Sequence, residues 1–234
     1  QLPAVMRIQA ILRERRPKER IIIGGPHPTL VLAAYRREHQ LGQEGRAHRH
    51  LQHLLEAFDV IVAGDGENTV VTALTTTERI IDADDPKSPL FMTHEGFDRS
   101  PFPARHLVEV SSYHYEIEGE RALSLIAQLG CPFACGFCSG RTSPSLRNIR
   151  LRSTENVVRE VEHLYDVYNV KAFMFYDDEL NVNPKMLELM MALTALQKRR
   201  GVQFKLRGCI KAQLFTDAQA AAMAGARFAV SPGY

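Results

Sequence analysis

The chain has 234 residues, 45% hydrophobic and 24% charged, the profile of a globular protein long enough for one large domain or two modest ones. Its formal net charge of +2 suggests no polyanion-binding surface, so nucleic acid is not an expected partner. No apolar run approaches the roughly 20 residues of a membrane span, so no membrane association is expected.

The opening stretch LPAVMRIQAILRERRP predicts a helix, because Leu2, Val5, Met6, Ile8, Ile11 and Leu12 recur near helical spacing. A chain that starts at Gln1 inside a helix and stops at Tyr234 just after a strand is expected to be an internal piece of a longer protein. RIIIGG, residues 20–25, reads as a short buried strand ending in two glycines. FDVIVAGDGE, residues 58–67, reads as a second strand ending in a Gly-rich turn. Continuous apolar runs of this kind suit a parallel sheet covered on both faces. The stretch between them predicts two helices broken at residues 42–45, longer than a simple crossover needs, and NTVVTALTTT continues as a third helix. Arg46, His48, Arg49, His50 and His53 form a local basic patch, read as the solvated face of a helix. The rhythm is that of a doubly wound α/β domain, whose ligands sit at the carboxyl ends of the strands. Gly24, Gly25, Gly64 and Gly66 occupy those ends. One such turn would be only a tight turn; two on the same edge point to a ligand crevice.

IDADDPKSPL and HEGFDRSPFPARHL are rich in Pro, Asp and Ser with little periodicity and read as linker. The expected division is residues 1–92, a linker over 93–120, and a second domain over 121–234. That second part is again βα in rhythm. ALSLIAQLG is a strand running into a cysteine loop, and Ser153 or Thr154 caps a helix with Val157, Val161, Leu164, Tyr165 and Tyr168 at helical spacing. VKAFMFYDDE is the next strand, and Asn183 with Pro184 opens a helix to about Arg200. VQFKLRGCI is a third strand, Thr216 and Gln219 form a capping box for a short helix ending at Gly225, and RFAVS is a fourth strand. Successive βα units suggest a barrel or partial barrel, with its chemistry at the carboxyl ends of the strands.

Three of the four cysteines, Cys131, Cys135 and Cys138, lie in GCPFACGFCSGR with the spacing CxxxCxxC. Disulfides call for an oxidising compartment. Structural zinc needs a fourth ligand, and only the isolated His106 and His114 are candidates. A catalytic thiol would need a single cysteine. A four-iron cluster held by three thiolates keeps one iron open to a ligand; Gly136 would let the backbone pass closely and Phe137 would shield it.

CPFACGFC fits CxxxCxφC, φ being aromatic, at every position. With this motif after a strand and before a capped βα unit, the chain resembles the radical S-adenosylmethionine enzymes, whose (β/α)6 partial barrel carries it after the first strand. SPFPARHL is similar to the Pro-x-Pro-Ala-Arg segment of members with an N-terminal cobalamin-binding domain. IIIGGPHPTL and IVAGDGE resemble the last strands of that domain, and LRSTENVVREVEHLYDVYNVKAFMFYDDELNVNP resembles the barrel's first helix and second strand. The resemblance covers most of the chain. It implies an α/β fold: the C-terminal part of a doubly wound, Rossmann-like cobalamin-binding domain, then the first part of a (β/α)6 partial TIM barrel.

The resemblance also implies roles. Cys131, Cys135 and Cys138 would ligate a 4Fe-4S cluster whose open iron chelates S-adenosylmethionine. Phe137 would sit near the adenine, one of Asp177 and Asp178 would face the methionyl amine, with Asp178 favoured because the two alternate in a strand, and Ser231 would contact the ribose. Gly24, Gly25, Gly64 and Gly66 would line the cobalamin crevice. Cys209 reads as a buried small hydrophobe. The implied activity is reductive cleavage of S-adenosylmethionine to a 5′-deoxyadenosyl radical, used for cobalamin-dependent methylation of an unactivated carbon. The alternatives are a radical cyclisation or rearrangement on the same scaffold, or a non-catalytic zinc- or cobalamin-binding module. Implied partners are a small-molecule or peptide substrate and an electron donor such as flavodoxin or ferredoxin. The implied compartment is reducing and oxygen-poor, hence the cytoplasm.

Overall fold

The computed structural model describes residues 2–233. The chain divides into two compact units: one runs up to Met92 and includes Pro132–Asn148, the other comprises Thr93–Cys131 and everything from Ile149 onward. The chain therefore leaves the second unit directly after Cys131 and returns to it at Ile149.

The first unit runs α1 (Leu2–Arg15), β1 (Ile22–Ile23), α2 (Pro26–Gln40), α3 (Arg46–Ala57), β2 (Val60–Ala63), α4 (Gly66–Thr75) and β3 (Ile80–Asp82). Its strands are parallel in the order β1-β2-β3. All four residues of β2 are buried, which is why that strand reads as an unbroken apolar run. Ile61 and Ala63 join Ile23, Leu32, Leu51, Leu54 and Phe58 on one face. Val60 and Val62 meet Ala73 and Ile81 on the other. β3 overlaps the start of IDADDPKSPL, a stretch that the sequence reads as linker. Only Ile81 of it is buried, and an acidic run follows, so no periodicity marks it. The expected apolar face of α1 is also only partly used: Leu2 and Met6 pack on the core, while Ile8, Ile11 and Leu12 are exposed.

The break between α2 and α3 has a local cause. Glu38 accepts hydrogen bonds from the backbone N–H groups of Gly45 (3.1 Å), Ala47 (2.9 Å) and His48 (2.9 Å). A carboxylate thus satisfies the orphan donors at the start of α3, and these N–H groups, Ala47 first, hold the Glu38 carboxyl below its usual range.

The second unit begins with α5 (His94–Arg99), capped by Thr93, whose side chain accepts from the Gly96 N–H. After two short 3-10 turns come β4 (Glu116–Ile117), β5 (Glu120–Leu125) and β6 (Gln128–Leu129). The cysteine segment carries α6 (Pro144–Arg147), and the second unit resumes with β7 (Arg150–Leu151), α7 (Thr154–Tyr168), β8 (Ala172–Phe175), α8 (Met186–Arg200), β9 (Lys205–Lys211), α9 (Asp217–Ala226) and β10 (Phe228–Gly233). The main sheet has the order β10-β9-β8-β5-β4, with β5, β8, β9 and β10 parallel and β4 antiparallel to β5. This is a half-barrel arrangement. Leu123, Leu125, Phe173, Phe175, Leu206 and Phe228 face the helices and share a core with Val161, Leu164, Met190 and Leu193. Ala122, Ala172 and Met174 face the other way, with Cys209 against them.

Several boundaries differ from expectation. The expected strand over 122–130 ends at Leu125, and its continuation β6 pairs antiparallel with β7. Asn183 does not cap α8 directly; its side chain accepts from the Lys185 N–H at 2.8 Å and the helix starts at Met186. The capping box of Thr216 and Gln219 is present, but α9 ends at Ala226, with Arg227 in the left-handed conformation at φ 59 rather than at Gly225.

Candidate functional site

At the carboxyl edge of the first unit, Gly24 and Gly25 follow β1, and Gly64 and Gly66 follow β2. Buried Thr29 ties the two turns together: its Oγ1 donates to the Gly25 carbonyl at 2.8 Å and accepts from the Gly64 N–H at 2.9 Å. The four glycines are not equivalent. A Cβ on Gly64 (φ 89) would lie 2.4 Å from the backbone of Ala83, so that glycine serves close packing. A Cβ on Gly24 would make ordinary contact with Val62, while Gly25 and Gly66 have nothing within 4 Å of that position. The open space at Gly25 and Gly66 fits a ligand that approaches the backbone. His27 lies two residues beyond Gly25, with its Nε2 2.9 Å from that of His50; burial, then His50, lowers the His27 pKa.

Cys135 and Cys138 share one turn, in which the Cys138 N–H donates to the Cys135 carbonyl at 3.0 Å. Cys131, Cys135 and Cys138 are each half-buried. Arg141 donates to the Gly136 carbonyl at 2.6 Å and Arg147 to the Pro132 carbonyl at 2.7 Å. Residues 130–148 contain no Asp or Glu, so the segment itself offers sulfur and no carboxylate as metal donors. An all-sulfur donor set suits soft metal centres and iron–sulfur clusters. Among the described residues, no three His, Cys, Asp or Glu side chains are gathered to hold a metal ion; the fit lies in the donor set. Phe137 is 87% exposed.

At the carboxyl edge of the half-barrel, Asp177 and Asp178 lie just past β8 rather than within it. Asp177 is turned inward and buried, accepting from the backbone N–H groups of Ala127 (3.1 Å) and Gln128. Burial raises its pKa to about 7 against the lowering effect of those N–H groups. Asp178 is exposed, and desolvation raises its pKa as well. Glu179 is raised by burial, opposed by Lys211 and reinforced by Asp178. Cys209 is raised by burial and then by the charges of Glu179, Asp177 and Asp178. Ser231 stands opposite Cys209 in the register of β10 and β9. Two buried acceptors here, Oε1 of Gln128 and Oε2 of Glu179, make no hydrogen bond among the described residues. Orphaned acceptors beside an acidic pair suit a ligand that brings N–H donors.

The family model of the Radical SAM superfamily matches residues 125–233, from the last residue of β5 to the end of β10. An uncharacterized methyltransferase of Pyrococcus horikoshii is 24% identical over 87% of this chain and 42% of its own length. The anaerobic magnesium-protoporphyrin IX monomethyl ester cyclase of Cereibacter sphaeroides is 31% identical over 52% of this chain and 17% of its own. The chain thus spans less than half the length of these relatives. Among solved structures, the radical S-adenosylmethionine methyltransferase TsrM from Kitasatospora setae, with tryptophan and an S-adenosylmethionine analogue bound, aligns with a TM-score of 0.50 at 15% identity, over 97% of this chain and 51% of that one. That likeness concerns the fold.

Within residues 125–233, Asp177 and Asp178 lie past the carboxyl end of β8, Ser231 and Cys209 lie toward the carboxyl ends of β10 and β9, and Lys211 ends β9; Glu179 and Gln128 join this edge. Glu179 closes the YDDE stretch, and its half-buried position past the strand was the missing signal. Gln128 had none, since it reads as one more residue of the first strand. In the first unit, Thr29 was equally unmarked.

Proposed function

We propose that the chain belongs to a radical S-adenosylmethionine enzyme in which Cys131, Cys135 and Cys138 hold a 4Fe-4S cluster and the reaction is a cobalamin-dependent methyl transfer. The observation that carries this reading is the CxxxCxxC loop with its donor set of three thiols, within the residues that the Radical SAM family model matches. Held by Cys131, Cys135 and Cys138, a cluster would supply the electron for reductive cleavage of the sulfonium C–S bond of S-adenosylmethionine, with methionine as the leaving group, and cobalamin would supply a methyl carrier.

The protein's part is binding and orientation. Arg141 and Arg147 hold the loop carbonyls of Gly136 and Pro132 and so fix the path of the loop. Asp178 and the orphaned Oε2 of Glu179 offer acceptors to the methionyl ammonium, a charge-assisted pairing. Ser231 offers a hydroxyl to the ribose and Phe137 an aromatic face to the adenine. Gly25 and Gly66 leave room for a corrin or its tail. The proposed substrate is a small molecule or peptide, the electron donor a flavodoxin- or ferredoxin-type protein, and the setting the reducing cytoplasm. Radical cyclisation is a second reading, favoured by the 31% identity to a cyclase.

The test is an electron paramagnetic resonance spectrum of the full chain, reconstituted anaerobically with iron and sulfide and then reduced. A four-iron signal that shifts on adding S-adenosylmethionine is expected. Protein that holds zinc and gives no cluster signal would overturn the reading. Methyl-labelled S-adenosylmethionine then separates the two reactions, since label appears in the product only for methyl transfer.

A further inference from the structure

Between Pro132 and Asn148 only two residues are buried, Ser143 and Ser145, and both hydrogen-bond the same carboxylate. Asp84, fully buried two residues past β3, accepts at Oδ1 from the Ser143 hydroxyl, the Ser145 N–H at 2.9 Å and the Ser145 hydroxyl at 2.6 Å. Its Oδ2 accepts from Arg36 of α2, which also pairs with Asp82 at the end of β3. The Asp84 N–H donates to Asp82 Oδ1 at 3.0 Å, closing the turn. α2 also packs against the Ser139–Thr142 turn that follows Cys138.

A segment whose only buried side chains are two serines has little buried apolar area with which to fix its position. A buried carboxylate with four donors is a stiff and specific alternative, because charge-assisted bonds are strong and directional and the charge is costly to leave unmet. The geometry points to Asp84 as a positioning residue: through Ser143 and Ser145 it sets where the turn bearing Cys135 and Cys138 stands on the first unit, relative to the crevice at Gly25 and Gly66. The inference rests on the cysteine reading above for its purpose, but the anchor itself can be tested without a cluster.

The variants are Asp84→Asn, which removes the charge and keeps the shape, and Ser143→Ala/Ser145→Ala, which keeps the Arg36–Asp84 pair should the first fail to fold. In the cluster-free full chain, iodoacetamide labelling of Cys135 and Cys138 and amide exchange across 132–148 are followed by mass spectrometry. Losing a charge-assisted bond predicts labelling and exchange at least about tenfold faster in that segment, with exchange in β2 and α2 unchanged. After anaerobic reconstitution, the variants are expected to show a shifted cluster potential and an altered response of the spectrum to S-adenosylmethionine. A merely structural residue would lower cluster content without changing these. Unchanged rates in 132–148, or faster exchange spread evenly through the first unit, would overturn the assignment. Wild-type protein that takes up no cluster would instead overturn the cysteine reading, with the labelling result still deciding the anchor.

Discussion

Gly64 lies against Ala83 so closely that a Cβ on it would stand 2.4 Å from the Ala83 carbonyl carbon, 2.6 Å from its oxygen and 2.6 Å from the Asp84 nitrogen. These are backbone atoms and cannot swing aside, and φ 89 at Gly64 is itself unfavourable for a side chain. Gly64→Ala is therefore expected to lower stability by at least about 1–3 kcal/mol, read as a fall in the thermal midpoint. Gly66→Ala meets open space at the first turn of α4 and should leave the melt nearly unchanged while weakening cobalamin binding in a titration. Equal stability of the two variants would contradict this division of roles.

Glu160 binds Arg105 at 2.7 Å and Arg152 at its other oxygen, with side-chain exposures of 1% for the glutamate and 14% and 8% for the arginines. This pins the proline-rich segment before the barrel to α7. Arg105 also donates to the Ser124 carbonyl at 2.7 Å. Glu160→Ala leaves two guanidiniums facing each other with little water, a change that costs about 3–5 kcal/mol when one partner of a buried pair is removed. Chemical denaturation of the variant checks this. A loss under about 1 kcal/mol would mean that the pair behaves as a surface salt bridge.

The legible parts of the sequence were those with a local cause. β2 and β8 are apolar at every position because both faces are covered, and Ser153, Thr216 and Gln219 announce helices because capping chemistry is local. The cysteine loop was legible because thiol spacing is set by what thiols bind. β3 was not, since a three-residue strand with one buried side chain has no period. Asp84 read as one acid in a linker, because its partners are about 60 residues away (Ser143 and Ser145) and only the fold brings them together. Asp177 and Asp178 were read as alternating within a strand, but β8 stops at Phe175. What decides their orientation is the hydrogen bonding of Ala127 and Gln128 across the chain.

Gly208 in β9 makes room for two rings. Phe175 and Phe228 meet at 5.3 Å between centroids, and a Cβ on Gly208 would stand 2.9 Å from Phe228 Cζ and 3.3 Å from Phe175 Cβ. Gly208→Ala is expected to destabilise by about 1–3 kcal/mol through overpacking. Phe228→Leu, made in the same background, should recover part of that loss by vacating the space. The double-mutant cycle measures the coupling, and strictly additive effects would contradict it.

Asp177 gives a pH dependence whose sign follows from its burial. Its pKa rises from 3.8 unfolded to about 7 folded, with burial the largest cause. The folded state therefore prefers the protonated acid. That contribution is fully present below pH 3.8 and is lost as pH rises through about 7. Asp177→Asn removes the titration while keeping an acceptor for the Gln128 N–H. The stability difference between variant and wild type should accordingly grow in the variant's favour as pH rises from 4 to 8, by an amount on the order of a few kcal/mol. Denaturant unfolding across that range measures it. A difference that stays flat with pH would place the Asp177 carboxyl in contact with water or with a cation, and the inward turn of its side chain would then be wrong.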